Sequence, residues 1–205
     1  DVIRSSYLVD DNDANFVACH QPEFLDRYPM LDKASNGAVF LLNSPASPDE
    51  VWDTFTAELQ QQIIDKQIKL YTIDAYDVAN RNGMGKRINT VMQTCFFAIS
   101  GILPRDEAIA AIKDAVEKTY GRKGKRIVEL NFKAIDDTLA CLHEVSIPAQ
   151  VNSKSMMHSV ITDDMPEFVR NVTAEIIAGR GDAIPVSQLP VDGTFPTGTA
   201  AYEKR

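Results

Sequence analysis

Residues 70–104, LYTIDAYDVANRNGMGKRINTVMQTCFFAISGILP, decide how the rest of the chain is read. Leu70 to Ile73 is a short apolar run of the kind that forms a buried strand. A helical turn or two follows, then a flexible Gly83-Met84-Gly85 and the basic pair Lys86-Arg87. Ile88 to Gly101 carries no charge and is mostly apolar, with Asn89, Thr90, Gln93 and Thr94 in its first half. A helix apolar nearly all round is ordinarily buried, so its polar start needs something polar to meet. Asn89 and Gln93 stand at i and i+4 and share a face. Leaving a buried amide unpaired costs about 1–3 kcal/mol. The expectation is therefore either hydrogen bonds within this domain or a polar seam against another domain or subunit.

Outward on the N-terminal side, Ile3 to Val9 is strand-like and Phe16 to Cys19 is a second short apolar run. Pro22-Glu23 begins a short helix that ends before Pro29. Asn36-Gly37 is a turn signal, and Ala38 to Leu42 is a continuous apolar strand ending in Asn43-Ser44-Pro45. Continuous rather than alternating apolar strands point to a sheet covered on both faces. Ser47-Pro48-Asp49-Glu50 is a helix start, with Ser as the cap, Pro at the first helical position and Glu three residues after the cap. That helix places Val51, Trp52, Phe55, Leu59 and Ile63 on one face, with Gln60 to Gln62 mostly off it.

On the other side, Pro104-Arg105-Asp106-Glu107 opens a helix with Ile109, Ile112, Val116 and Tyr120 inward and Gly121 as its stop. A further amphipathic stretch buries Val128, Phe132, Ile135, Leu139 and Leu142. Strands alternating with helices in this way predict an α/β fold, a three-layer α/β/α sandwich with a mainly parallel sheet. Residues 1–150 form the core on this reading, and 151–205 a C-terminal helix plus an extended linker or arm. Asp163 is the expected cap of that helix, which carries Phe168, Val172 and Ile176 and is closed by Gly179. From Gly181 onward Pro, Gly and Thr dominate and apolar residues are spaced singly, a segment that cannot fold on itself.

Composition narrows the classes. The 205 residues are 44% hydrophobic and 24% charged, enough for a core. A formal charge of -8 argues against nucleic acid and anionic membrane as partners, and no apolar run approaches a membrane span. Asp1-Val2-Ile3-Arg4 shows no signal-like start and reads as the opening of a cut piece. Three scattered cysteines, Cys19, Cys95 and Cys141, argue against a disulfide framework and for a reducing, cytoplasmic compartment. Without Cys-x-x-Cys, no self-contained iron–sulfur or zinc site of usual spacing is expected. Cys19-His20 and Cys141-x-His143 fit no standard metal spacing, and no metal ligand is assigned. The acidic pairs Asp10-Asp11, Asp136-Asp137 and Asp163-Asp164 read as turn, surface and cap positions, so no catalytic residue is assigned either.

Several segments together are distinctive: FVACHQPEFL, FLLNSP, QQIIDKQIKLYTIDAYDVA, GMGKRINTVMQTCFFAISGILPRDEAI, KTYGRKGKRIVELNF, LHEVSIPA and PVDGTFPTGTAAYEKR. In this order they resemble the gamma-type domain of pyruvate:ferredoxin or pyruvate:flavodoxin oxidoreductases, over essentially the whole chain. The resemblance implies a much larger enzyme that oxidatively decarboxylates pyruvate, transfers the acetyl group to coenzyme A, and passes electrons through [4Fe-4S] clusters to ferredoxin or flavodoxin. Thiamine diphosphate and the clusters would sit in other domains, with none held by this segment alone. Other domains of the same enzyme would be its partners, in a homodimer. It further implies a Gly-rich segment before Asp1, and a ferredoxin-like domain with Cys-x-x-Cys-x-x-Cys soon after Arg205.

Gly83-x-Gly85-Lys86-Arg87 precedes a helix, so its backbone N–H groups and two cations can hold phosphate. It lacks the third glycine of a dinucleotide fingerprint, and a tight turn with a solvated basic pair is the plainer reading. Given the resemblance, the phosphates would be those of coenzyme A, met by Lys86, Arg87 and Asn89. Asn43 and Ser44 end a buried strand, where ligands of open α/β sheets sit; capping of the following turn is the commoner use. Without the resemblance, the residues fit a stand-alone α/β module binding coenzyme A or a nucleotide.

Overall fold

The computed structural model describes residues 12–26, 28–157 and 161–203. The strand expected over Ile3 to Val9 and the pair Asp10-Asp11 lie outside them. A four-stranded sheet forms the centre: β1 (Ala14–Cys19), β2 (Ala34–Asn43), β3 (Lys69–Ile73) and β4 (His143–Glu144), in that spatial order. β1, β2 and β3 are mutually parallel, and the two-residue β4 is antiparallel to β3.

Alternation along the strands builds two cores. Cys19, Phe40, Leu42 and Leu70 face one side and meet Val51, Trp52, Phe55, Leu59 and Ile63. The last two lie on α1 (Ala57–Asp65). Leu41 and Ile73 face the other side, against Val78 of α2 (Ala75–Arg81) and Val91, Met92 and Cys95 of α3 (Asn89–Ile99). With successive side chains pointing to opposite faces and both faces covered, the strands read as uninterrupted apolar runs. The α/β architecture follows from the pattern as expected. A third cluster joins α4 (Arg105–Tyr120) to α5 (Lys125–Cys141) through Ile112, Val116, Val128 and Ile135.

Five local expectations are corrected. Asn36-Gly37 is not a turn before β2 but an irregularity inside it, where the register against β1 jumps and Gly37 takes φ +74°. The helix expected from Ser47 is broken. Val51–Thr54 is a single 3₁₀ turn, Phe55 is extended, and α1 starts only after Thr56, whose hydroxyl accepts from Leu59 N. The apolar residues named for that helix are nonetheless all buried, and Gln60, expected off the buried face, is fully buried with them. Gly121 continues into a 3₁₀ turn, and the reversal falls on Gly124 at φ +110°. Asp163 does not cap the last helix, which starts at Glu167, widens to a π turn at Val169–Thr173 and ends in α6 (Ala174–Ile177).

The fifth correction concerns α3, which is not buried all round. Asn89 and Gln93 are exposed, and Phe96 to Ile99 are half-buried. Both amides lie open on the surface of this segment, so of the two alternatives it is burial within this domain that fails. Beyond Gly179 the chain makes isolated 3₁₀ turns at Gly181–Ala183 and Val186–Gln188, then a last helical turn, α7 (Ala200–Glu203). Phe195 from this stretch stands edge-on to Phe168, ring centroids 5.0 Å apart.

Candidate functional site

Three parallel strands end side by side, and a cleft of about 760 Å3 opens at their carboxyl ends. Gln21 and Glu23 line it from beyond β1, Asn43 from the last position of β2 and Pro45 from beyond it. Asp74, Tyr76 and Asp77 enter from the start of α2, and Gly85 and Lys86 from the loop before α3. Of the residues singled out in the sequence, the cleft brings Asn43 and Lys86 together. Ser44, Arg87 and Asn89 are not part of its lining.

Asn43 is buried and committed at both ends of its amide. Its Nδ2 donates to His20 O at 3.0 Å, and its Oδ1 accepts from Ala75 N at 2.9 Å. One side chain thus ties the ends of β1 and β2 to the first residue of α2. Ser44 makes the local turn, its Oγ accepting from Ala46 N at 3.2 Å. Lys86 is exposed at the cleft, while the Arg87 guanidinium turns back to donate from Nε to Met84 O at 3.0 Å. Gly83 and Gly85 have φ of +70° and +61°, left-handed conformations that glycine adopts without strain. No side chain caps the start of α3 beside them.

The charges of the cleft are mixed. Glu23, Asp74 and Asp77 face Lys86 across it. Two of these carboxylates have local work: Asp74 Oδ1 accepts from Asp77 N at 2.9 Å, and Asp77 pairs with Arg81 at 2.7 Å. Gln21 Nε2 donates to the Tyr76 hydroxyl at 2.7 Å, closing one wall. Asp74 and Tyr76 were not singled out in the sequence, although the strand-end rule that selected Asn43 applies equally to the residues after Ile73.

The cysteines are separate. Cys19 Sγ donates to Gln21 O at 3.0 Å, and burial pushes its thiol up against that bond. Cys95 is fully enclosed, and burial pushes it up to about 12. Cys141 Sγ accepts from Arg81 Nη2 at 3.3 Å. Among the described residues, no three His, Cys, Asp or Glu side chains come together as a metal-ligand set. Among the same residues no helix is long and apolar enough to cross a membrane.

The model of the pyruvate ferredoxin/flavodoxin oxidoreductase family matches residues 3–141, the greater part of the chain. The chain belongs to that family. A second family model, EKR, a domain of unknown function, matches residues 154–205. Among family members, the chain is 56% identical over 204 residues to a putative pyruvate-flavodoxin oxidoreductase of Synechocystis sp., covering 99% of this chain. It is 52% identical over 203 residues to the pyruvate-flavodoxin oxidoreductase of Rhodospirillum rubrum, again over 99% of this chain. It spans 17% of the length of each of these oxidoreductases. The crystal structure of the pyruvate oxidoreductase subunit PORC from Thermotoga maritima is also similar. That likeness has a TM-score of 0.48 and 17% identity, over 64% of this chain and 65% of the other.

Proposed function

We propose that this chain is the gamma-type domain of a pyruvate:ferredoxin or pyruvate:flavodoxin oxidoreductase. The enzyme would take pyruvate and coenzyme A to acetyl-CoA and carbon dioxide and hand two electrons to the carrier protein. The observation that carries this reading is 56% identity along 99% of the chain to a relative named for that activity. Thiamine diphosphate and the [4Fe-4S] clusters supply decarboxylation and electron storage. In this proposal both belong to the rest of a cytoplasmic, homodimeric enzyme. The segment itself supplies no catalytic residue. Residues 1–150 are its folded body and 151–205 its C-terminal helix and arm, a division supported by the separate matches at 3–141 and 154–205.

Its role is to present interdomain surface and part of the coenzyme A site. Lys86 at the mouth of the strand-end cleft, with Arg87 and Asn89 at the uncapped start of α3, supplies cations and open N–H groups for phosphate. Asn43 shapes the floor rather than binds, because both ends of its amide are already bonded, and Ser44 makes the turn behind it. The test is the double variant Lys86→Ala, Arg87→Ala in the full-length enzyme. Removing these two charges should raise KM for coenzyme A about tenfold or more, with KM for pyruvate unchanged. An unaltered KM for coenzyme A overturns this site.

A further inference from the structure

We propose that the stretch from Asn152 to Arg180 is a brace for α1. Most of it falls in the region matched by the family model of unknown function, and bracing α1 is the work assigned to that part of the chain.

α1 is nine residues long, and helices this short owe their stability to what packs on them. The sheet covers Leu59 and Ile63. Gln60 is fully buried as well, and there the brace supplies partners: Gln60 Oε1 accepts from Asn152 N and Ser153 N, both at 3.0 Å. Ala57 N–H belongs to the donors that a helix start leaves without an intrahelical partner; Ser155 O accepts it at 2.8 Å. Glu58 Oε2 accepts from Met157 N at 3.2 Å. Asn152 Nδ2 donates to Asp53 Oδ1 at 2.8 Å, in the 3₁₀ turn just before α1.

The same stretch returns at the other end of α1. Lys66, next after the helix, donates from Nζ to Leu31 O, Asp32 O and Ala34 O at 2.8, 3.0 and 2.9 Å. Gln62 on α1 donates to Asp32 Oδ1 at 2.8 Å. Arg180 Nη1 stands 3.9 Å from the other oxygen of that carboxylate, and its guanidinium is held in place by Glu175 at 2.8 Å. Lys66, Asp32 and Arg180 line one cavity of about 350 Å3. Between the two grips, Val169, Val172 and Thr173 are buried. They share one face of their helix, and a single helix cannot enclose its own apolar stripe. These contacts are internal to the chain, so they hold whatever polypeptide covers the outer surface.

The test is hydrogen exchange with mass spectrometry on the full-length protein carrying Val169→Ala and Val172→Ala, which leaves cavities under the brace. Bracing predicts amides of 57–65 exchanging about tenfold faster or more, with those of α3, across the sheet, unchanged. Faster exchange at 167–177 with α1 unaltered overturns it, because the stretch would then be an arm resting on a helix that does not need it. Equal acceleration of α1 and α3 overturns it too, since the support would then be to the whole fold. Arg180→Ala touches no buried side chain and reads the far grip even where the double variant does not fold. It should speed exchange at 31–34 and Lys66 about twofold, and no change there overturns the brace. No turnover is read, so the outcome is independent of the enzymatic activity.

Discussion

Gln60→Leu is the sharpest perturbation that the fold offers. Gln60 is fully buried on α1, and its amide is used four times. Nε2 donates to Trp52 O and to Asn152 Oδ1, both at 2.8 Å; Oε1 accepts from Asn152 N and Ser153 N, both at 3.0 Å. The side chain therefore clasps the backbone of 152–153, between the segments matched by the two family models. Leucine keeps the volume and removes all four bonds. The two lost amide bonds to Oε1 contribute about 1 kcal/mol each, so opening of this backbone should become easier by about 2 kcal/mol. At about 1.4 kcal/mol per tenfold, hydrogen exchange of the Asn152 and Ser153 amides should accelerate roughly thirtyfold. Ala57 N still donates to Ser155 O and Met157 N to Glu58 Oε2, so Met157 should keep most of its protection. Exchange of peptides covering 150–157 in the full-length enzyme, followed by mass spectrometry, reads both effects. Unchanged exchange at 152–153 would refute the clasp, because the segment would then be held by its other contacts.

Asn43→Ala removes the bonds to His20 O and Ala75 N and orphans groups at the ends of β1 and α2; a loss of about 2 kcal/mol is expected, seen as a lower thermal midpoint. Cys95 bears on alkaline stability: its folded value of about 12 lies above the ordinary 9.0. Above pH 9 the unfolded chain releases this proton while the folded chain keeps it. Stability should therefore fall by roughly 1–2 kcal/mol per pH unit between 9 and 12, and Cys95→Ala should flatten that slope in denaturant titrations run across the range.

How much of this was legible in the sequence depended on the range of the forces involved. β2 and β3 were readable because both faces are covered, which leaves uninterrupted runs such as Phe40-Leu41-Leu42. The break at Phe55 was not, because Ser47-Pro48-Asp49-Glu50 carries every local mark of a helix start. Ser47 Oγ does donate to Glu50 Oε2 at 2.6 Å, yet a second cap at Thr56 starts α1 instead. Periodicity also found the buried apolar set of that segment while missing Gln60. Besides Trp52, its partners lie 92 and 93 positions away, where no pattern along one helix can register them.

The same limit explains the site. Strand-end reasoning pointed to Asn43, and the cleft is there, but the sequence could not show that its amide is already spent on His20 and Ala75. That leaves Lys86 as the residue among those singled out that both faces the cleft and carries an uncommitted charge. Conversely, α3 was read as wholly buried because nothing in Ile88 to Gly101 is charged, and its amides turned out to face solvent. Ile102 and Leu103, at 62% and 42% exposure, extend that open surface past the helix end. Aliphatic side chains left in water forfeit about 25 cal/mol for each Å2 that burial would have hidden.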